Sequence, residues 1–195
     1  MSPVGRGLDD GVAGMSATVE CAIGTAWAMP SPWTFEVPPI RAFVDRWTYG
    51  RVCIVDPMAG RSTIAHYSND IVGGLDAEEF VRGLIALGVR ADCVIFDPPY
   101  SPRQISESYR IAGITPSRSD TQNARLYARV RRALAGMLAP GGIALSFGWQ
   151  SSGFGKSWET REILLVQHGG AHNDTICVAQ EKPAGSTTVV GRVGR

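Results

Sequence analysis

Ala91-Asp92-Cys93-Val94-Ile95-Phe96-Asp97-Pro98-Pro99-Tyr100 is the stretch that decides the fold of this chain. Its first six residues form a short, largely apolar run that is bounded by prolines, and this pattern predicts a buried strand. The next four residues put an acid, two prolines and an aromatic ring at the carboxyl end of that strand. Because proline fixes its own backbone, this loop has few conformations to lose on folding. The stretch therefore predicts a rigid loop that presents a carboxylate, a backbone carbonyl and a flat ring.

Strands and helices alternate around this loop. We predict strands over residues 51–56, 92–97 and 143–147, and a terminal strand pair over 161–167 and 175–180. Helices are predicted over 76–87 and from Asp120 or Thr121 to Leu138, the second ended by Pro140-Gly141-Gly142. This order indicates an α/β fold, with a mostly parallel sheet and helices on both faces. Ligands of such sheets bind beyond the carboxyl ends of the strands, so Asp56 and Asp97 should share one crevice.

The length of 195 residues suits one domain with a real core. We predict a poorly ordered amino-terminal extension over residues 1–28, a single domain over 29–182 and a tail over 183–195. The formal net charge of +1 gives no overall attraction to nucleic acid. Residues 101–132, however, carry seven arginines against two acids, about +5. We interpret this segment as either a solvated helix face or a rim that contacts phosphates.

The four cysteines show no metal-ligand spacing, and three of them lie in apolar runs, where a thiol packs as a small hydrophobe. His168 and His172 flank two glycines, but no third ligand of matching type is evident, so we expect no metal. No apolar stretch approaches the roughly 20 residues that span a bilayer. The amino terminus also lacks the pattern of a signal peptide. We expect a cytoplasmic protein without a membrane partner.

Asp97-Pro98-Pro99-Tyr100 resembles the signature of S-adenosylmethionine-dependent methyltransferases that act on amino groups, chiefly the DNA N6-adenine enzymes. Residues 146–153 and the loop 168–175 are similar to the small phage and prophage adenine methylases, which lack a large recognition domain. The resemblance covers roughly residues 30–182. It implies a Rossmann-like class I methyltransferase fold, S-adenosyl-L-methionine as cofactor and duplex DNA as partner. The target adenine would be flipped out of the helix, since the enzyme cannot reach it in the stack. A homodimer stays open.

The resemblance also implies a role for each residue of the loop, which together would form the catalytic set. The Asp97 carboxylate and the Pro98 carbonyl would accept hydrogen bonds from the target amino group, with Pro99 keeping the loop rigid. Tyr100 would stack on the flipped base. Trp149 would form a wall of the base pocket or pack in the core. Arg103, in the basic segment, would contact the substrate.

Residues 56–62 follow the first strand and are similar to the cofactor loop of the same family. Two features depart from the family pattern: Arg61 stands where a glycine is usual, and Asn69-Asp70 follows too soon for a full helix. Asp70 or Asn69 would bind the ribose hydroxyls, and Asp76 the adenine amino group, with turn and helix-cap roles as the alternatives. Upstream, residues 32–40 resemble one wall of the methionine site or pack in the core. The implied cofactor residues are Phe35, Ile40, Asp56, Pro57, Met58, Ala59, Gly60, Asn69, Asp70 and Asp76.

Two alternatives to a DNA N6-adenine methyltransferase stay open. The loop recognises an amino group and not one particular ring, so N4-cytosine or RNA methylation is compatible with it. Residues 101–119 are expected to be the only sizeable loop near the site, which leaves no DNA-recognition region of obvious size. Arg61 is also compatible with a non-catalytic, methyltransferase-like subunit that binds nucleic acid or a partner enzyme.

Overall fold

A computed structural model describes residues 20–72, 74–99, 101–113, 115, 124–170 and 172–185. These residues form one seven-stranded sheet, four helices and a single 3-10 turn at Thr34–Glu36. The helices are α1 (Pro38–Thr48), α2 (Ala77–Ala86), α3 (Pro102–Ile111) and α4 (Ala124–Met137). The strands are β1 (Ala22–Trp27), β2 (Ile54–Asp56), β3 (Tyr67–Ser68), β4 (Ala91–Phe96), β5 (Leu138–Gly148), β6 (Glu159–Gln167) and β7 (Thr175–Glu181).

The sheet has the strand order β1-β6-β7-β5-β4-β2-β3. Only β7 runs antiparallel to its neighbours, β5 and β6, and every other pairing is parallel. Parallel neighbours need long crossover connections, which α2 supplies between β2 and β4, and α3 and α4 between β4 and β5. This order confirms the predicted sheet, which is mostly parallel with one late antiparallel strand.

Two hydrophobic layers cover the sheet, one on each face. Alternate side chains of β4 point to opposite faces, with Ile95 in the layer under α1 and Val94 in the layer under α2 and α4. Because both faces of this central strand are buried, its sequence is a continuous apolar run. Helices on both faces of such a sheet complete the Rossmann-like α/β architecture expected from the sequence.

The amino-terminal boundary needs a correction. Residues 22–27, predicted to belong to a poorly ordered extension, form the edge strand β1 and pair with β6 from Ala22↔Glu162 to Trp27↔Gln167. The sequence did not predict this strand because most of its side chains are exposed, Ile23 at 76% of its accessible surface. Its sequence therefore shows no regular alternation of buried apolar residues. Residues 1–19 of the predicted extension and 186–195 of the predicted tail lie outside the described residues.

Three further boundaries differ from the prediction. The first strand begins at Ile54 rather than residue 51, because the Asp92 carboxylate accepts the N–H groups of Val52 and Cys53, at 2.9 and 3.0 Å. The glycine-rich segment 140–142, expected to end a helix, lies within β5. The expected loop 101–119 contains helix α3, which begins with a capping box between Ser101 and Gln104.

The predicted caps of the helix before β5, Asp120 and Thr121, lie outside the described residues. Within the part of the chain that the structure describes, no helix combines the length and the apolarity needed to cross a membrane.

Candidate functional site

The carboxyl ends of β2 and β4 lie side by side, because these strands pair in parallel through Ile54↔Cys93 and Val55↔Val94. The loops that follow them meet over a cavity of about 800 Å³, the first cavity. Asp97 and Asp70 line it, and both carboxylates contribute to raising the pKa of Asp56, which lies behind the lining. The predicted convergence of Asp56 and Asp97 at one end of the sheet is therefore observed.

Asp56 is fully buried at this end of the sheet. Its Oδ1 accepts the Met58 N–H at 3.0 Å, whereas its Oδ2 has no hydrogen-bond partner within the described residues. Burial raises the pKa of Asp56 to about 8, the Met58 N–H opposes that rise, and the charges of Asp97 and Asp70 add to it. Buried polar atoms normally form hydrogen bonds, so this oxygen has unused hydrogen-bonding capacity that a bound ligand could influence. At neutral pH such a pKa leaves the carboxyl largely protonated, and a cationic amino group bound nearby would favour its charged form.

The loop after β2 forms the floor of the first cavity through Pro57, Met58, Ala59 and Gly60. Gly60 has a positive φ of 56°, and a Cβ at this position would lie 3.1 Å from the ring of Trp33. Glycine therefore lets the backbone turn here and lets the Trp33 ring close against the loop.

Arg61, which stands where the resemblance implies a glycine, lies at the rim of the first cavity. Its guanidinium carbon is 4.4 Å from the centroid of the Trp33 ring, and the guanidinium pairs with the Glu36 carboxylate. Both charged side chains are more than half exposed, at 58% and 51%. The larger side chain at this position is thus directed to the surface, where Trp33 and Glu36 hold it.

The three residues predicted to hold the ribose and the adenine differ in position. Asp70 and Asp76 line the first cavity, and each also fulfils the alternative role: Asp70 Oδ1 accepts the Val72 N–H at 2.8 Å, and Asp76 caps α2. Asn69 is not part of the lining. Its side chain donates to the carbonyls of Pro57 and Leu75, at 3.1 and 2.9 Å, and so joins two loops.

The predicted upstream wall is present only in part. Phe35 lines the first cavity and packs edge-on against Phe147, with ring centroids 5.1 Å apart. Ile40 is buried in the core under α1 and is not part of the lining. The alternative of core packing therefore describes Ile40, and Phe35 takes both roles.

The loop after β4 separates the first cavity from a second cavity of about 290 Å³. Asp97, Pro98 and Pro99 line the first cavity, and Pro98 and Pro99 also line the second. We call these two prolines the diproline wall. Tyr100 lies outside the described residues, so its predicted stacking role stays a prediction.

Tyr127 of α4 lines both cavities, and the sequence analysis missed it. Its hydroxyl donates to the Pro99 carbonyl at 3.0 Å, and its ring packs edge-on against Phe96. The hydrogen bond fixes the diproline wall from the helix that covers this face. No sequence motif identifies Tyr127, because its hydrogen-bond partner Pro99 lies 28 positions away in the sequence.

The second cavity is lined mainly by apolar and aromatic groups. Trp149 lines it and is 47% exposed, which agrees with a wall of a pocket more than with core packing. Arg131 donates to the Gly153 carbonyl at 2.9 Å, and its guanidinium carbon is 5.7 Å from the centroid of the Phe96 ring. Ser146, at 7% exposure, has a hydroxyl without a hydrogen-bond partner in the described part of the chain. In the described part of the chain, one buried oxygen without a partner thus belongs to the lining of the second cavity, and another, Asp56 Oδ2, lies behind the lining of the first.

The basic segment is partly neutralised in the structure. Arg103 lines neither cavity and pairs with Glu107 at 2.9 Å, and Arg129 pairs with Glu78 at 2.6 Å. Arg110, Arg125 and Arg132 are exposed, and Arg118 lies outside the described residues. The rim that could contact phosphates is therefore narrower than the seven arginines suggest.

The described residues contain no cluster of His, Cys, Asp and Glu side chains placed to hold a metal ion. His168 is buried, and its ring nitrogens lie 2.9 Å from the Ala28 carbonyl and 3.0 Å from the Thr175 hydroxyl. This histidine therefore has the packing role that the sequence favours.

The sequence matches no protein-family model and no curated protein sequence. Three solved structures resemble its fold. TrmN from Thermus thermophilus is 16% identical with a TM-score of 0.44, over 75% of this chain and 49% of TrmN, so the chain spans about half the length of TrmN. The protein yhhF from Escherichia coli is 11% identical with a TM-score of 0.43, over 80% of this chain and 92% of its own. The N-methyltransferase NodS from Bradyrhizobium japonicum WM9 is 14% identical with a TM-score of 0.35, over 83% and 86%. Likeness at this level says nothing of activity, so the site is interpreted from its own geometry.

Proposed function

We propose that this chain is an S-adenosylmethionine-dependent methyltransferase that methylates the N6 amino group of adenine in duplex DNA. One observation carries the proposal: Pro98 and Pro99, which follow Asp97, line both a large cavity that includes three aspartates and a small cavity that includes four aromatic residues. A group transfer needs a donor and an acceptor held on either side of one point. The Asp97 loop occupies that point and carries the signature that such enzymes use.

The residues of the first cavity fit the parts of S-adenosylmethionine. The Asp56 carboxyl lies behind the lining, where it would attract the ammonium group, and the small residues Ala59 and Gly60 in the lining would let the cofactor approach the backbone. Asp70 and Asp76, both in the lining, supply acceptors for hydroxyl and amino groups. When bound, this cofactor supplies an electrophilic methyl group on a sulfonium centre.

The Asp97 loop would act on the acceptor. The lone pair of the adenine amino nitrogen is delocalised into the ring, which makes this nitrogen a poor nucleophile. Hydrogen bonds from its two hydrogens to the Asp97 carboxylate and the Pro98 carbonyl favour a tetrahedral nitrogen, whose lone pair can then attack. Asp97 orients the amino group, and no strong base is required because the methylated cation is acidic and loses its proton readily. Tyr127 keeps the wall in place.

The position of Arg61 favours an enzyme over a non-catalytic subunit. This residue was the main sequence argument for a degenerate cofactor site. Its side chain is held at the rim by Trp33 and Glu36 and leaves the floor of the first cavity open. Arg61, the residue that suggested a non-catalytic subunit, is therefore compatible with cofactor binding.

The test is to incubate the purified chain with tritiated S-adenosylmethionine and unmethylated genomic DNA, and then to separate the nucleosides. We expect label in N6-methyladenine. Label in N4-methylcytosine, or in RNA but not in DNA, would keep methyl transfer and overturn the proposed substrate. No label in either nucleic acid, together with no cofactor binding by calorimetry, would contradict the proposal as a whole.

A further inference from the structure

Ser146 places a hydroxyl in the lining of the second cavity. The residue lies on β5 and pairs in register with Phe96, the residue before Asp97, and with Val178 on the other side. It is more than nine-tenths buried, and its Oγ has no hydrogen-bond partner within the described residues. A buried hydroxyl can donate one hydrogen bond and accept two, and buried hydroxyls are rarely left unpaired. This hydroxyl therefore has unused hydrogen-bonding capacity at the edge of the second cavity.

The nearby polar side chain of Gln180 is already engaged. Its Oε1 accepts the Phe154 N–H at 2.7 Å, and its Nε2 donates to the Gly155 carbonyl and the Thr160 hydroxyl. A Cβ on Gly153 would lie 2.2 Å from this Oε1 and 3.1 Å from Ser146 Oγ. Glycine at 153 thus lets the loop close over both groups, and the glutamine fastens that loop while the serine does not.

The rest of the second cavity suits a planar, neutral ring. Its lining combines proline and aromatic residues, including Pro98 and Trp149, with the polar residues Arg131, Gln150 and Ser152. The guanidinium of Arg131 is directed to the Gly153 carbonyl and the Phe96 ring. Among these groups, the Ser146 hydroxyl stands on the strand next to the one that ends at Asp97. A ring whose amino group reaches Asp97 would therefore have its neighbouring edge close to β5.

We infer that the Ser146 hydroxyl hydrogen-bonds a ring nitrogen that flanks the target amino group, and so orients the base for transfer. In adenine, N1 and N7 lie on either side of the amino group, and both are acceptors. The inference rests on the proposed function and adds a positioning residue for the same site. Such a hydrogen bond would favour a heterocycle with a ring nitrogen next to its amino group over an amino-bearing ring that lacks this acceptor.

The test combines a variant with altered substrates. Once sequencing of the methylated DNA has located a target adenine, duplexes are made with that adenine replaced by 1-deazaadenine or 7-deazaadenine. We expect Ser146→Ala to lower kcat/KM on adenine about five- to tenfold, with cofactor affinity and melting temperature unchanged. One of the two analogues should lower kcat/KM of the unmodified protein to a similar extent and have no further effect on Ser146→Ala. Ser151→Ala, an exposed serine outside the cavity lining, is the matched control.

The possible results separate the two proposals. Ser146→Ala with unchanged kcat/KM would overturn this inference and leave the proposed function standing. The inference would also be overturned if each analogue lowered kcat/KM of Ser146→Ala by the same factor as it lowers kcat/KM of the unmodified protein. If the unmodified protein labels no nucleic acid, the proposed function fails and this inference fails with it. The experiments on the unmodified protein with the two analogues do not depend on the folding of any variant.

Discussion

The two cavities on either side of the diproline wall differ in size and in the chemistry of their linings. The first cavity measures about 800 Å³ and includes the carboxylates of Asp70, Asp76 and Asp97, whereas the second measures about 290 Å³ and, in the described part of the chain, has no carboxylate in its lining. Each has one buried oxygen without a partner, a carboxylate behind the first and a hydroxyl in the second. A carboxylate attracts a cation, and a hydroxyl suits a neutral polar edge. The contrast assigns a charged, flexible ligand to one side and a flat, uncharged ring to the other.

Asp97→Ala should have the largest effect, because it removes the carboxylate that is proposed to orient the target amino group. We expect methyl transfer to fall at least about a hundredfold, as when one preorganised hydrogen-bonding group of a catalytic site is removed. Cofactor affinity, measured by calorimetry, should change little. Glu79→Ala, which removes an exposed carboxylate on α2, is the control and should retain full activity. Undiminished turnover by Asp97→Ala would contradict the role proposed for this carboxylate.

Asp56→Asn tests the charge assigned to the first cavity. We expect cofactor affinity to fall at least about tenfold, because the amide cannot pair with an ammonium group as a carboxylate does. The rate at saturating cofactor should fall less, since the second cavity is untouched. Cofactor binding that equals that of the unmodified protein would mean that the buried carboxylate has another purpose.

The pH dependence of stability offers an independent test of the same carboxyl group. The pKa of Asp56 is about 8 in the folded protein, against an ordinary value of 3.8. Between these values the folded state binds more protons than the unfolded state, so the free energy of unfolding falls as the pH rises from about 4 to about 8. Asp56→Asn removes this group, and urea titrations should then show a much smaller fall over that range. An equal fall in both proteins would assign the dependence to other groups.

Tyr127→Phe should have an intermediate effect, because it keeps the ring and removes only the hydroxyl bonded to the Pro99 carbonyl. We expect kcat to fall about fivefold, the effect of one neutral hydrogen bond. The KM for the cofactor and the melting temperature should stay close to their original values. A change confined to stability would give Tyr127 a purely structural role.

Arg61→Gly should have the smallest effect, although it restores the residue that the resemblance implies. Arg61 lies at the exposed rim, and exposed ion pairs contribute about 0–1 kcal/mol to stability. We therefore expect cofactor affinity to change by no more than about threefold, which calorimetry can resolve. A large gain in affinity would show that the arginine obstructs the first cavity and would revive the non-catalytic alternative.

The sequence predicted those parts of the molecule whose environment leaves a local pattern. The buried strand β4 appears as a continuous apolar run because both of its faces are covered. Strand β1 is largely exposed, and Ile105 is the one buried residue among the described side chains of α3, so no buried period marked either element. In the site, the motif loops located Asp56 and Asp97, whereas Tyr127 and Ser146 depend on contacts between elements distant in the chain. Ile40 shows the converse error, since an apolar residue beside a motif can equally belong to the core.

The diproline wall has a consequence for how such a protein can change over evolutionary time. Ring closure fixes the backbone of Pro98 and Pro99, so the separation between the two compartments is set by covalent structure more than by the packing of replaceable side chains. Substitutions in the lining of either cavity can then change which ligand binds there without changing the distance between the two cavities. Under the proposed function, the acceptor side could then change by substitution while the donor side is kept.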